Sequence, residues 1–179
     1  EYQGYAGDIT RTFPVNGIFS TAQASLYQLV LDTQLSAISQ IKPGIALADI
    51  NKSVIKQLVE GLLRLGLLQG NNEQLIKDGA YKAFYMHSIG HYLGLDVHDV
   101  GDYGSLDAPR LLEAGMVITI EPGLYISQDA DVDTIWKGIG IRIEDDILVS
   151  HNGAQVLSAA VPKSINEIEA LMADAQRSE

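Results

Sequence analysis

Cysteine is absent from this sequence of 179 residues. Its absence excludes disulfide bonds, thiolate nucleophiles and zinc sites built on thiolates. A chain without cysteine is compatible with a reducing compartment, and we expect a cytoplasmic location. Uninterrupted apolar runs of membrane-spanning length are also absent, so we expect no membrane contact.

Positive charge is scarce, because 12 Lys and Arg residues stand against 23 Asp and Glu residues and give a formal net charge of −11. A field of that sign repels nucleic acid and anionic lipid, so we expect neither as a partner. The carboxylates suit a protein that binds metal ions through oxygen. A hydrophobic content of 46% is sufficient for a packed core, and the length predicts one domain.

Several common catalytic motifs are missing as well. The sequence contains no Gly-x-Ser-x-Gly elbow, no phosphate-binding Gly-x-x-x-x-Gly-Lys-Ser/Thr loop, no Gly-x-Gly-x-x-Gly and no His-Glu-x-x-His. These absences argue against the hydrolase, nucleotide-binding and zincin classes that depend on them. The remaining candidates for chemistry are carboxylates and imidazoles.

Three of the four histidines lie in one short stretch, at His87, His91 and His98. Their spacing would place them on one face of a helix, but Gly90 and Gly94 favour a compact loop. Neutral imidazole binds metals and carries protons near neutral pH. The stretch alone is equally compatible with three ordinary surface or core histidines.

Helical patterns occupy the middle and the end of the sequence. A capping box at residues 20–23 opens a helix that runs to Ile41 and ends at Pro43 and Gly44. A second amphipathic helix is predicted from about Ala48 to Leu65, with Gly66 as its C-terminal cap. A short helix is predicted within residues 70–78, and a second capping box at residues 164–167 opens the last helix.

Strand patterns occupy three other segments. Residues 2–13 read as a strand pair, and because a natural protein seldom begins within a strand we expect a fragment. Residues 116–126 read as a strand broken at Glu121. Residues 138–150 alternate as one strand with a single apolar face, and its other face carries Arg142 and Glu144.

Residues 87–99, His-Ser-Ile-Gly-His-Tyr-Leu-Gly-Leu-Asp-Val-His-Asp, satisfy every position of the proline-peptidase pattern. The stretches Gly-Tyr-Ala-Gly-Asp-Ile-Thr-Arg-Thr-Phe-Pro around Asp8, Glu-Pro-Gly-Leu-Tyr from Glu121 and Gly-Ile-Gly-Ile-Arg-Ile-Glu-Asp-Asp around Glu144 follow the same family in the same order. The sequence therefore resembles, from end to end, the bacterial aminopeptidase P (Xaa-Pro aminopeptidase) family of metallopeptidases.

The resemblance implies an α+β pita-bread fold, with a curved, mostly antiparallel sheet and helices on its outer face. Residues 1–179 would form a partial C-terminal catalytic domain, without the N-terminal domain and without the start of the catalytic domain. The implied activity of the parent protein is removal of the first residue from peptides that carry proline second. A prolidase and a non-catalytic pita-bread binding module remain as alternatives.

The resemblance also implies a role for each matching residue. Two Mn²⁺ ions are the expected cofactor, with Co²⁺ or Zn²⁺ as alternatives, and the carboxylates of Asp8 and Glu144 would bridge them. The metal ligands would be Asp8, His91, Glu121 and Glu144. Catalytic and substrate-contacting roles fall on His87, His98, Glu121, Tyr125 and Arg142.

One ligand of the family is not among these residues. The family pattern has an aspartate eleven residues before Asp8, ahead of the first residue of the sequence. We therefore expect this chain to keep a weakened first metal site, to lose the second, and to show little activity alone. We also expect self-association, because an incomplete sheet exposes an edge and apolar surface.

Overall fold

The structure is a computed structural model that describes residues 2–105 and 107–176. Its α-helices in those ranges are α1 (Thr21–Gln40), α2 (Leu47–Arg64), α3 (Asn72–Lys77) and α4 (Ile165–Gln176). Its strands are β1 (Val117–Ile120), β2 (Gly123–Tyr125), β3 (Gly140–Arg142), β4 (Asp145–Ser150) and β5 (Gly153–Val156). Short 3-10 helices cover Ala80–Ala83 and Thr134–Trp136.

The helix boundaries follow local sequence. Ser20 and Gln23 form the predicted capping box at the start of α1, each side chain accepting a hydrogen bond from the other's backbone amide. Gly66 follows α2 with a φ of 74°, the left-handed conformation that glycine adopts without steric cost. None of the helices in the described ranges is both long and apolar enough to cross a membrane.

Helix α1 lies against both sheets of the described chain, and α2 packs on α1. The larger sheet has the order β1-β4-β5, the smaller one pairs β2 with β3, and all these pairings are antiparallel. The core between helices and sheets is mostly apolar, and Gln34 of α1 is a buried polar exception that contacts Asp145. The largest buried side chains of the core include Leu26, Tyr27, Ile50, Leu58, Leu62, Ile118, Ile120 and Leu124.

The prediction of one continuous strand over residues 138–150 is wrong. The chain leaves the smaller sheet after Arg142 and joins the larger one at Asp145, so that Glu144 lies at the break. The neighbouring segment that connects β1 to β2 is also interrupted next to Glu144, because Pro122 between these strands has no amide hydrogen to continue a ladder. The Ile143 amide donates to the Pro122 carbonyl oxygen over 3.3 Å, and the two breaks therefore face each other.

The prediction of a strand pair over residues 2–13 is also wrong. This part of the described chain forms only isolated bridges, between Tyr2 and Tyr5 and between Thr10 and Glu144. Side chains replace the missing backbone ladder, since the Thr12 hydroxyl donates to the Arg142 carbonyl and accepts from the Arg142 amide. The segment is an extended strap along the break in the strands.

A buried carboxylate fastens this strap to the rest of the fold. Asp145 is fully buried, and its carboxylate accepts hydrogen bonds from Arg11 at 2.7 Å, Ser158 at 2.6 Å, Lys163 at 2.6 Å and Gln34 at 2.9 Å. Burial opposes ionisation, but the hydrogen bonds from Lys163, Ser158 and Arg11 hold the pKa of Asp145 below its ordinary value. One residue thus joins the strap, α1, β4 and the segment before α4.

Replacing Asp145 with asparagine should destabilise the fold strongly. The variant leaves the buried ends of Arg11 and Lys163 without a counter-charge, and we expect a loss of about 3–5 kcal/mol in the free energy of unfolding. Urea unfolding measures it. Asp49→Asn is the control, because the exposed Asp49–Lys52 pair should contribute about 1 kcal/mol or less. Equal losses in the two variants would contradict this role of Asp145.

Candidate metal centre

The four side chains predicted as metal ligands lie together in the structure. Nε2 of His91 is 3.3 Å from Oε1 of Glu121 and 3.5 Å from Oδ2 of Asp8. Ligand atoms of His91, Glu121 and Glu144 all lie within 4.8 Å of one another. The four residues come from the strap, the histidine loop and the two facing strand breaks.

The donor set fits a divalent cation. Nδ1 of His91 lies 2.9 Å from the Tyr92 carbonyl oxygen, which can only accept, so Nδ1 carries a hydrogen; in the neutral imidazole, Nε2 then presents its lone pair to Asp8 and Glu121. Among the described residues, neither Nε2 of His91 nor Oε1 of Glu144 has a hydrogen-bond partner, although both are buried. A lone pair that faces carboxylate oxygens is repelled by them, and a cation between them reverses that interaction.

Close backbone packing positions His91 against Glu121. The Thr119 amide donates to the His91 carbonyl at 2.9 Å, and the Glu121 amide donates to the Ile89 carbonyl at 2.8 Å. A Cβ on Gly90 would lie 1.9 Å from the Thr119 carbonyl oxygen, so only glycine allows this approach. As predicted, the histidine stretch is a loop; in it Tyr92 makes one bridge, to Ile118.

Glu144 is the most perturbed acid of the centre. Its side chain is buried, and Oε2 accepts a hydrogen bond from the Thr10 hydroxyl. Burial, together with the nearby carboxylates of Glu121 and Asp8, raises the pKa of Glu144 to about 7, against the opposing effect of the Thr10 hydrogen bond. Without a cation, this carboxyl therefore holds a proton over much of the acidic range.

Asp8 is held by a residue that the sequence analysis missed. The Asp8 amide lies 3.2 Å from both carboxylate oxygens of Asp146, which is buried on β4. Thr10 and Thr119 were missed as well, although both contact predicted ligands. In the sequence Asp146 is only one polar position of the alternating segment, and its burial becomes visible only in the structure.

Three predicted substrate residues form a hydrogen-bonded chain beside the ligands. Nε of Arg142 donates to the Tyr125 hydroxyl at 2.9 Å, and that hydroxyl lies 2.8 Å from Nε2 of His87. Nδ1 of His87 faces the Ser88 carbonyl at 2.8 Å, so Nδ1 carries the hydrogen and Nε2 accepts from Tyr125. Nη1 of Arg142 is 3.6 Å from Oε2 of Glu121, which connects the chain to the centre.

His98 is exposed and lies against the ring of His91. Their rings meet edge to face with centroids 4.2 Å apart. One His98 nitrogen lies within 4.8 Å of ligand atoms of Asp8 and His91, so these three residues form a second group that has the spacing of metal ligands. The structure therefore brings every residue of the predicted site to one region.

Stability in the absence of metal should depend on pH through Glu144. Because its folded pKa of about 7 exceeds the ordinary 4.5, the stability it contributes is fully present below about pH 4.5 and is lost as the pH rises through about 7. Glu144→Gln resembles the protonated form and should lack this decline. Urea unfolding should show that the free energy of unfolding of Glu144→Gln, relative to that of the unsubstituted chain, is higher at about pH 8 than at about pH 5. Glu113→Gln, at an exposed pair with Arg110, is the control. If the stability difference between Glu144→Gln and the unsubstituted chain is the same at both pH values, the role given to Glu144 is contradicted.

Known proteins resemble this chain closely. The Xaa-Pro aminopeptidase of Haemophilus influenzae is 56% identical over 172 residues, which cover 96% of this chain and 40% of that protein. The Xaa-Pro aminopeptidase of Escherichia coli is 50% identical over 177 residues, which cover 99% of this chain and 40% of that protein. The chain thus spans about 40% of the length of these relatives.

Solved structures give the same result. Aminopeptidase PepP of Pseudomonas aeruginosa superposes with a TM-score of 0.95 at 51% identity, covering 100% of this chain and 40% of that one. An alanine variant of Escherichia coli aminopeptidase P in complex with substrate superposes with a TM-score of 0.95 at 50% identity, covering 99% of this chain and 40% of that one. The predicted resemblance to aminopeptidase P and the pita-bread fold are confirmed. Since residues 1–151 match metallopeptidase family M24, the chain belongs to that family.

Proposed function

We propose that this chain forms the metal-binding part of an Xaa-Pro aminopeptidase, which removes the first residue from peptides that carry proline second. The observation that supports it best is the buried Nε2 of His91, which has no hydrogen-bond partner among the described residues and faces the carboxylates of Asp8 and Glu121. Relatives at 56% and 50% identity carry the name Xaa-Pro aminopeptidase. The peptide is the proposed partner.

Asp8, His91, Glu121 and Glu144 are the proposed ligands, and in the whole protein the carboxylates of Asp8 and Glu144 would be shared between two ions. Three carboxylates and one imidazole form an oxygen-rich set, which suits Mn²⁺, although affinity order alone favours Co²⁺ or Zn²⁺. Bound divalent ions supply a nucleophile from water at neutral pH and stabilise negative charge on a carbonyl oxygen. Zinc is present in one zinc-substituted Escherichia coli aminopeptidase P, whose superposition has a TM-score of 0.94.

The residues around the ligands would bind the peptide and move protons. We assign proton transfer to the departing nitrogen to Glu121, whose Oε2 faces Arg142 and whose Oε1 faces His91. Exposed His98 would donate a hydrogen bond near the scissile bond. His87, Tyr125 and Arg142 would border the peptide around its proline, with their mutual hydrogen bonds fixing the orientation of each donor.

Peptide hydrolysis tests this function. The whole protein to which the chain belongs, loaded with Mn²⁺, should cleave a tripeptide with proline second and should leave the matching tripeptide with alanine second intact. Glu121→Gln should lower kcat by about 100-fold or more, as expected for a lost general acid–base group. Glu113→Gln is the control, because that side chain is exposed and pairs with Arg110.

Other outcomes would overturn the assignment. Cleavage of Xaa-Pro dipeptides alone would identify a prolidase, and Mn²⁺ binding without any hydrolysis would identify a binding module. Calorimetric titration of residues 1–179 with Mn²⁺ measures the number and affinity of the metal sites independently of hydrolysis. One weak site and little hydrolysis are expected for the chain alone, and two tight sites with normal turnover would contradict that expectation.

Self-association is also proposed for this chain. The strap and the turn that follows it carry exposed apolar side chains, with Tyr2 at 77% and Val15 at 96% relative exposure. Burial of such surface against a second copy would be favourable. Light scattering of residues 1–179 should show dimers or larger species, and Val15→Asp should shift the distribution towards monomer. A monomer at every concentration would contradict the proposal.

The cytoplasmic location also remains a proposal.

A further inference from the structure

Thr119 occupies an unusual place for a polar residue. It is fully buried on β1, whose side chains alternate between the two faces of the sheet. Its neighbours Ile118 and Ile120 belong to the apolar core, so Thr119 points to the other face. There it lies opposite Asp146 in the β1–β4 register, the residue that holds the Asp8 amide.

The Thr119 hydroxyl connects two of the proposed ligands. It accepts a hydrogen bond from the His91 amide at 3.1 Å. Its single hydrogen is then free to be donated to Oε1 of Glu121, which lies 3.2 Å away. That same Oε1 is 3.3 Å from Nε2 of His91, so one hydroxyl contacts both residues of the His91–Glu121 pair.

The backbone of Thr119 completes the contact with His91. Its amide donates to the His91 carbonyl at 2.9 Å, so that Thr119 binds both polar backbone groups of His91. Gly90 allows the histidine loop and β1 to approach this closely, because it has no Cβ to meet the Thr119 carbonyl. His91 therefore cannot shift along the loop without breaking two hydrogen bonds to a buried residue.

We propose that Thr119 is a positioning residue of the metal centre, which sets the separation and orientation of His91 and Glu121 before a divalent cation binds. The proposal rests on the proposed function for the identity of the ligands. Thr119 does not itself touch the cation. Its effect is preorganisation, since groups that hold metal ligands in place change metal affinity without joining the coordination.

Thr119→Val tests the hydroxyl with little change of shape. It removes the acceptor for the His91 amide and the donor to Glu121. Calorimetric titration of residues 1–179 with Mn²⁺ should show that Thr119→Val binds the ion about 10–100-fold more weakly than the unsubstituted chain does. Thr119→Ser keeps the hydroxyl and should stay within about threefold of the parent.

Thr33→Val is the matched control. Thr33 is also fully buried, but its hydroxyl donates only to the Leu29 carbonyl within α1, away from the centre. It should leave the Mn²⁺ affinity unchanged, and unfolding midpoints measured beside each titration separate affinity from stability. Parental affinity in Thr119→Val, or an equal loss in Thr119→Ser, would overturn the proposal.

A measurement without metal keeps the two proposals apart. If the parent chain binds no Mn²⁺, the proposed metal centre fails for this chain, and amide hydrogen exchange then decides the role of Thr119. The His91 amide should exchange at least about tenfold faster in Thr119→Val, or in Thr119→Ala if the valine variant does not fold, and at the parental rate in Thr119→Ser. Equal rates in all variants would overturn the proposal.

Discussion

Mutual repulsion among clustered carboxylates, three of them buried, is the constraint on which this structure depends. Asp8, Glu121, Glu144 and Asp146 lie in or beside one small region, and the chain must hold them there against their repulsion. Part of the compensation is built into the fold next to the centre. Asp145 follows Glu144 directly and pairs with Arg11 and Lys163, so cationic side chains fix the backbone that carries the ligands. Within the centre Glu121 faces Arg142, and the proposed divalent cation would compensate the remaining negative charge.

The two facing strand breaks explain why the ligands meet where they do. A residue within a regular ladder has its backbone groups paired and its side chain on one face. Glu121 and Glu144 stand where two paths change sheets, and there the Glu144 amide turns to the Thr10 carbonyl at 3.1 Å. The break therefore brings the strap, with Asp8 two residues before Thr10, against the ends of both strands. The same irregularity therefore brings together Glu121, Glu144 and Asp8, three of the proposed ligands.

Local sequence predicted the helices well, because their ends depend on neighbouring residues. The capping box of Ser20 and Gln23 and the glycine after α2 are contacts within a few positions. The break at Glu144 was not predicted, since alternation continues through it and its cause is Pro122, a residue distant in sequence. The wrong prediction of a strand pair over residues 2–13 follows from β-branched residues, which favour strands, whereas the Thr12 hydroxyl, and not a backbone ladder, makes the contacts with Arg142.

The same distinction applies to the centre. His91, Glu121 and Glu144 stand in stretches dense enough to be recognised as a pattern, and the structure brings them together. Thr119 and Asp146 resemble any threonine in a strand and any acid beside another acid, and only the β1–β4 register places them opposite one another. A pattern can thus name the groups that would bind a cation. The groups that hold them appear only when the pairing of distant strands is known, and the geometry of the centre depends on those groups.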